Sequence, residues 1–392
     1  MNRLKPIILS SAITLVVASA VFALIINNKG IGSTSLSSLW NDTSMDAHAA
    51  NKQQLLDDIS NSRQTIITKT VEQVSPAVVG INVTEIRQYR DIFSTDPIYR
   101  YFFGDRVYNQ QIKSLGSGAI ISPDGYILTN DHVAGNAVEA IVTMTDGTQH
   151  EAKIIGSDPV SDICLLKIDG GNLPYIKLGD SDSILTGEWA VALGNPFGLF
   201  DINDQPTVTV GVISAKGMNL GSDQNRYYVN MLQTDAAINS GNSGGPLVNA
   251  FGELIGMNTL IYTAGSQGNI GLGFAIPVNR IKKIVAEIKE NGKVDRDFWT
   301  GLSIQTIDQS IAKAYNLKSS RGVIITEILR NSPAQKSGLQ IYDIITGVNN
   351  FKVNDENTLI GILQEFRRSD EIEIHILRDN KPMTTKMKLE KR

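Results

Sequence analysis

The sequence predicts a mainly β protein of two domains behind an apolar N-terminal segment. Three observations carry the prediction. Short Val/Ile/Thr-rich runs recur between turn signals from about residue 77 to 277, with little helical periodicity among them. Glycine is plentiful, 34 residues against 12 prolines, and the apolar share of 42% is enough for a sizeable core. A helix pattern at 279–290 then closes the first series, and a second, shorter series of strands follows it. A chain of 392 residues suits two or three domains.

Taken in order, the first element is apolar. Arg3 and Lys5 precede residues 7–26, which hold no charge and only four hydroxyl side chains. A bilayer core takes about 20 such residues, and a secretory h-region roughly 7–15. Cleavage at Ala18-Ser19-Ala20 would leave the apolar stump Val21-Phe22-Ala23-Leu24-Ile25-Ile26, so a retained membrane anchor within 1–30 is expected. Its flanking charge keeps the N-terminus in the cytoplasm and exports the rest. Residues 31–70 read as a Ser/Gly/Asn-rich tether with a short helix carrying Leu55, Leu56, Ile59 and Ile66.

Residues 71–290 form the first domain. Strands are expected at 78–83, 117–121, 127–130, 140–144, 162–168, 190–193, 233–234, 246–248, 254–258 and 273–276, giving two packed antiparallel barrels or sandwiches. Pro123-Asp124-Gly125, Asp146-Gly147 and Gly170-Gly171 supply turns. The helix at 279–290 buries Ile281, Ile284, Val285 and Ile288 and stops at Asn291-Gly292. Residues 297–392 form an α+β domain with strands at 301–306, 323–328, 343–348, 371–377 and 384–389 and a helix at 357–366. Alternation in Glu371-Ile372-Glu373-Ile374-His375-Ile376 marks a half-solvated strand.

Composition excludes several functions. The 36 basic and 40 acidic residues nearly balance at a net −4, and no basic tract stands out, so nucleic acid is not an expected partner. The single cysteine, Cys164, lies in an apolar run; it makes an internal disulfide impossible and reads as a buried thiol. No cofactor and no metal is expected.

The chemistry concentrates in three places. Gly241-Asn242-Ser243-Gly244-Gly245-Pro246 puts a serine on a glycine-rich turn. Glycine at 241 lets main-chain N–H groups turn inward, so Gly241, Asn242 and Ser243 are the candidate oxyanion turn, the N–H groups of Gly241 and Ser243 being its donors. His132 differs from His48, His150 and His375 because it ends an apolar run. Asp162 opens another such run, and a buried carboxylate there needs a partner. An imidazole N–H is the obvious one, and it fixes the tautomer that a serine base requires. Asp131 is nearer in sequence, but adjacent strand residues point oppositely, so Asp162 is preferred. The order His, Asp, Ser is that of chymotrypsin-type proteases.

The chain resembles the HtrA/Deg family of exported serine proteases. The resemblance runs from about residue 70 to the end and rests on Thr129-Asn130-Asp131-His132-Val133, Ser161-Asp162-Ile163-Cys164-Leu165-Leu166, Gly194-Asn195-Pro196-Phe197, Thr234-Asp235-Ala236-Ala237-Ile238-Asn239-Ser240-Gly241-Asn242-Ser243 and Gly271-Leu272-Gly273-Phe274-Ala275-Ile276-Pro277. It continues through Asn331-Ser332-Pro333-Ala334 into a C-terminal PDZ domain. It implies a chymotrypsin-like double β-barrel and a catalytic set of His132, Asp162 and Ser243. It also implies a substrate pocket drawn from Ala237, Ile238, Tyr262, Gly273, Phe274 and Ala275, and a peptide groove at Thr300, Gly301, Leu302, Ser303 and Ile304. One PDZ domain behind an anchor resembles the stress-sensing branch: an inner-membrane homotrimer facing the periplasm. Members of that branch bind C-terminal peptides of outer-membrane proteins and cut a transmembrane anti-sigma factor. The alternatives are degradation of misfolded periplasmic proteins, to which an aromatic loop at 88–113 points, and an inactive adaptor or chaperone, which an intact triad argues against.

Overall fold

A computed structural model describes residues 63–90, 107–195, 200, 204–239, 241–261 and 271–392. The expected anchor, most of the tether and Tyr262 lie outside the described residues. Among the described residues no helix is long and apolar enough to cross a membrane.

Helix α1 (Ile66–Val74) is capped by Thr65, whose side chain accepts from the Thr68 N–H. Eight strands of the first domain follow, β1 (Val78–Arg90), β2 (Val107–Ile120), β3 (Tyr126–Thr129), β4 (Glu139–Thr143), β5 (Gln149–Glu151), β6 (Lys153–Asp158), β7 (Ile163–Lys167) and β8 (Trp189–Gly194), with a helical turn α2 (Asp131–Ala134) after β3. The first seven make one antiparallel sheet in the order β5-β4-β1-β2-β3-β7-β6. The expected loop at 88–113 is shorter than its sequence suggests, because 88–90 and 107–113 pair as the outer rungs of the β1–β2 hairpin.

A closed six-stranded barrel, β12-β15-β14-β13-β8-β9, forms from β8 together with β9 (Thr207–Met218), β12 (Met231–Thr234), β13 (Pro246–Val248), β14 (Leu254–Ile261) and β15 (Gly273–Pro277). Closure removes exposed strand edges. The small hairpin of β10 (Ser222–Asp223) and β11 (Arg226–Tyr227) projects between β9 and β12. Ile213, Leu232, Ala236, Ile238, Leu247 and Ala275 fill one apolar cluster, and a larger one spreads from Val79, Ile81, Ile127 and Leu165 to helix α3 (Val278–Asn291). Gly292, at φ +72°, ends α3 in the left-handed conformation that its sequence predicts.

The C-terminal sheet takes β16 (Leu302–Thr306), β17 (Val323–Ile328), β18 (Ile344–Val348), β20 (Glu371–Arg378) and β21 (Lys381–Lys388) in that order, and β19 (Phe351–Lys352) pairs with β18. Three helices accompany it: α4 (Gln309–Ala314), α5 (Pro333–Lys336) and α6 (Glu356–Leu363). Strand β16 lies at the sheet edge. Its core, which includes Val323, Ile345, Leu359, Ile362 and Ile374, also takes in Val229 from the segment after β11. A Cβ on Gly361 of α6 would stand 2.8 Å from Val229 Cγ1 and 3.1 Å from Tyr227 Cδ1, so a glycine is needed for this approach.

Charged contacts reinforce the junction. Arg296 donates from both terminal nitrogens to Asp158 at 2.6 and 2.7 Å, to the Ser161 hydroxyl at 2.9 Å and to the Gln364 carbonyl at 3.0 Å. Burial opposes the charge on Asp158, but Arg296 outweighs it and holds the carboxyl below its ordinary range. A depressed carboxylate pKa contributes stability above the unfolded value, and that stability is lost as pH falls through the folded one. Arg296→Met should therefore cost about 3–5 kcal/mol at neutral pH, since it leaves a buried carboxylate unpaired. The gap to the parent should close once pH drops below the carboxylate range. Thermal melts at several pH values check this; an equal deficit at every pH would contradict it.

Candidate active site

Strand β3 delivers its last residues to the junction of the sheet and the barrel, and the chain turns there into α2. His132 therefore sits on a single helical turn and not on the strand that its sequence suggests. Asp162 lies one residue before β7, fully buried, with φ +58°. A positive φ is uncommon for a side chain other than glycine, though Asp and Asn tolerate it better than most. Three contacts hold this turn: Asp162 N–H to the Pro159 carbonyl at 3.3 Å, Asn130 Nδ2 to the Asp162 carbonyl at 2.9 Å, and the arginine-bound Asp158–Ser161 segment before it.

The structure brings His132 and Asp162 together. His132 Nδ1 stands 2.9 Å from both carboxylate oxygens, and the His132 backbone N–H donates to Oδ1 at 3.1 Å. An ionised carboxylate only accepts, so the proton resides on Nδ1 and Nε2 is left as an acceptor. Thr259 on β14 donates its hydroxyl to Asp162 Oδ2 at 2.6 Å. Sequence reasoning missed Thr259, and no local signal marks it, because its role depends on a partner 97 positions away. Asp131 faces elsewhere, accepting from the Ser157 hydroxyl at 2.5 Å and pairing with Arg226. Cys164 is buried, and burial pushes its thiol up to about 12, so it is no nucleophile at neutral pH.

Ser243 lies on the turn between β12 and β13. Its hydroxyl donates to the Thr259 carbonyl at 3.2 Å, and no hydrogen bond joins it to His132 among the described residues. Hydrogen bonds of this kind are often long or unformed before substrate binds. The turn itself is firmly held. The Ser117 N–H donates to the Ser243 carbonyl at 3.0 Å, the Ser117 hydroxyl to the Gly241 carbonyl at 2.5 Å, and the Gly244 N–H to the Asn258 carbonyl at 2.9 Å. Gly241 adopts φ +96° and Gly244 φ +82°, and a Cβ at 244 would collide with the Ser117 carbonyl and the Thr129 hydroxyl.

Among the described residues the N–H groups of Gly241 and Ser243 donate to nothing, which leaves both available to an oxyanion. Asn242 lies between them. Its N–H is committed to the Asn239 carbonyl at 3.0 Å, so it shapes the turn without serving as a donor.

The other predicted positions divide. Ala237 is half-buried, and its carbonyl accepts from Thr209 at 2.7 Å. Ile238 is enclosed in the barrel core, where a Cβ on Gly273 would meet its Cδ1 at 2.8 Å. Ala275 and Phe274 depart from a pocket-lining role: alternation along β15 sends Ala275 into the barrel interior and Phe274 into the larger core. At the edge strand β16, Leu302 and Ile304 remain partly open, as do Leu363 and Phe366, whereas Leu359 and Ile362 are consumed by the core. Gly301, at φ +75°, turns the chain into this edge and passes its carbonyl to the Leu329 N–H. The Thr306 N–H at the far end is capped by Glu356 Oε1 at 2.8 Å.

Residues 116–257 match the family model of the trypsin-like peptidase domain, and residues 300–389 that of the PDZ domain. A protein of Pseudomonas putida named probable periplasmic serine endoprotease DegP-like is 40% identical over 334 residues, covering 80% of this chain and 68% of that protein. Its namesake in Ectopseudomonas mendocina is 40% identical over 332 residues, with the same two shares of 80% and 68%. Among solved structures, an HtrA-type protease AlgW with a decapeptide is 36% identical at a TM-score of 0.61, covering 84% of this chain and 99% of that one. A serine endoprotease from Yersinia pestis is 31% identical at a TM-score of 0.53, covering 84% and 98%.

Proposed function

The chain belongs to the HtrA-type serine endoproteases, with a trypsin-like peptidase domain followed by a single PDZ domain, and from that premise we propose a peptide-regulated protease that faces the periplasm. The observation that carries this reading is the His132–Asp162 contact beside a serine turn with two unpaired N–H groups. In the proposed mechanism Ser243 Oγ swings from the Thr259 carbonyl toward Nε2 of His132, which takes its proton as Oγ attacks the scissile carbonyl. The oxyanion points at the N–H groups of Gly241 and Ser243. Asp162 stabilises the imidazolium, which then protonates the leaving amine. Water repeats the cycle on the acyl-enzyme.

The regulatory part of the proposal rests on the C-terminal domain. A free C-terminus adds as a strand along β16, its carboxylate held near Thr300, Gly301 and Leu302, with Ser303 and Ile304 continuing the pairing. The peptide-bearing AlgW structure supports this reading. Substrate side chains meet Ala237, backed by the enclosed Ile238, so the pocket floor is uncharged and offers no partner to lysine or arginine. An N-terminal anchor at 7–26, a homotrimer, C-terminal peptides of outer-membrane proteins as activators and a transmembrane anti-sigma factor as substrate complete the proposal. The names of the relatives support the periplasmic location. A second reading, anchored degradation of misfolded periplasmic proteins, draws on the aromatic side chains Phe93, Tyr99, Tyr101, Phe102 and Phe103 in its sequence.

One experiment separates the two. Detergent-solubilised full-length protein is incubated with casein and with the periplasmic segment of an anti-sigma factor, each with no peptide, with a free-carboxylate outer-membrane C-terminal peptide, or with its amide. Signalling predicts cleavage of the second substrate alone, only with the free carboxylate, after Val, Ala, Ile or Leu by mass spectrometry. Peptide-independent digestion of casein would favour degradation. Equal activation by the amide would overturn carboxylate capture, and a majority of cuts after Lys or Arg would overturn the uncharged pocket.

A further inference from the structure

Two buried carboxylates lie near His132, and one cation answers both. Asp131 precedes His132 on α2, and Asp162 contacts its ring; their side chains are 5% and 0% exposed. Arg226 of β11, only 16% exposed, places Nη2 3.1 Å from Asp131 Oδ2 and Nε 3.4 Å from Asp162 Oδ1. Its Nε makes no hydrogen bond, so the contact with Asp162 is purely ionic. The guanidinium cannot easily withdraw: the Tyr227 N–H donates to the Val160 carbonyl at 3.0 Å, and Arg280 donates to the Tyr227 carbonyl at 3.3 Å.

We propose that Arg226 is a positioning residue of the proteolytic centre, a counter-ion shared by Asp131 and Asp162 that sets the pH at which His132 becomes available as a base. The inference rests on the His132–Asp162–Ser243 reading above. Its physical basis is charge counting at short range. Two carboxylates and one guanidinium leave a single negative charge beside the imidazole, as in a triad that has one acid. Without the cation the net becomes two, and the ring retains its proton to higher pH, because an added negative charge favours the imidazolium.

The surrounding groups do not supply a substitute. On β7, Cys164 stays protonated, its thiol pushed up to about 12 by burial. Tyr228, following β11, is likewise neutral, pushed up by burial and then by Asp162. Asp223 on β10 adds only a further negative charge. Arg280 on α3 is already paired with Glu365, and Arg296 with Asp158. Burial works against the charge on Arg226, but Asp162 and Asp131 outweigh it and hold the guanidinium above its ordinary range.

The test is the pH profile of kcat/KM on a quenched-fluorescence peptide that the parent cleaves, using full-length protein. Arg226→Met should move the acidic limb up by about 1–2 pH units, as expected for loss of one charge at this distance. Asp131→Asn, nearly isosteric, should move it down. Combining the two should return it to within a few tenths of a unit of the parent, and Arg226→Lys should hold it near the parent value. A merely structural role would lower the plateau in Arg226→Met without moving the limb, and that result overturns the proposal. So does a limb that the added Asp131→Asn fails to restore. If the parent itself shows no acidic limb, it is the reading of His132 as base that fails. Should Arg226→Met not fold, the limbs of Asp131→Asn and Arg226→Lys decide alone, and an unmoved limb in Asp131→Asn overturns the inference.

Discussion

Ser243→Ala should abolish peptide-bond cleavage and leave the fold intact. Loss of the nucleophile in a serine protease typically lowers turnover by about 10⁶-fold, and the remaining rate comes from binding and the oxyanion donors. The structure explains why the substitution is a clean one. Among the described residues the Ser243 hydroxyl has one partner, the Thr259 carbonyl at 3.2 Å, and removing that donor strands no buried charge. The contacts that shape the turn belong to its backbone: the Ser243 carbonyl to the Ser117 N–H, and the glycine conformations on either side. Alanine keeps all of them. Purified Ser243→Ala protein should melt within a few degrees of the parent and still bind C-terminal peptides. Casein or anti-sigma fragments should remain uncut after a day as judged by mass spectrometry. Cleavage at anything near the parental rate would sink the assignment of the nucleophile.

The parts of this protein that are legible in its sequence are those whose signal is local. The serine turn carries its reason for existing in the glycines around Ser243, and His132 and Asp162 each announce themselves by interrupting an apolar run. The apolar runs of the C-terminal sheet are distinct enough that β17 and β18 fall within a residue of expectation. What escapes is long-range. Strand β9, which contains Gly211 and Gly217, is absent from the expected strands. A Cβ at Gly211 would run into Asp235 and Ala236, so the first glycine marks a close approach between strands and not a bend. The β1–β2 hairpin is likewise longer than its apolar pattern, because rungs such as Thr84–Lys113 and Arg87–Gln110 pair polar residues.

Side-chain partnerships follow the same division. Thr259 is a neutral residue in an apolar strand, and only the folded chain sets its hydroxyl on Asp162. Nothing local in the sequence marks Arg226 or Arg296. Each is drawn inside by a buried carboxylate that has another contact, Asp162 with the His132 ring and Asp158 with the Ser161 N–H. The choice of Asp162 over Asp131 was open to sequence reasoning, but the argument from strand alternation was not the operative one. His132 lies on a helical turn, and Asp131 is excluded because Ser157 and Arg226 occupy it.

Asp162→Asn should lower kcat by about 10⁴-fold at neutral pH, the scale seen when a triad acid of this kind is neutralised. Every contact to the Asp162 side chain comes from a donor: the His132 backbone N–H and Nδ1, the Thr259 hydroxyl and the Arg226 Nε. An amide has one accepting end, so its NH₂ must face either Thr259 or the imidazole. Facing the imidazole, it forces the proton onto Nε2, and the ring can no longer accept from Ser243. Facing Thr259, it keeps the useful tautomer but removes the charge that stabilises the imidazolium, and Arg226 then adds a destabilising one. Both routes lose rate. The backbone should not complicate the result, because position 162 has φ +58° and asparagine tolerates that conformation about as well as aspartate. Alanine would add strain to the chemical change and is the poorer test. The variant should therefore remain folded and trimeric if the parent is, with the loss confined to turnover. Steady-state kinetics on a fluorogenic peptide, with a melting curve on the same preparation, measure both quantities. A folded Asp162→Asn protein that retains more than about a tenth of parental kcat would show that another acid orients His132.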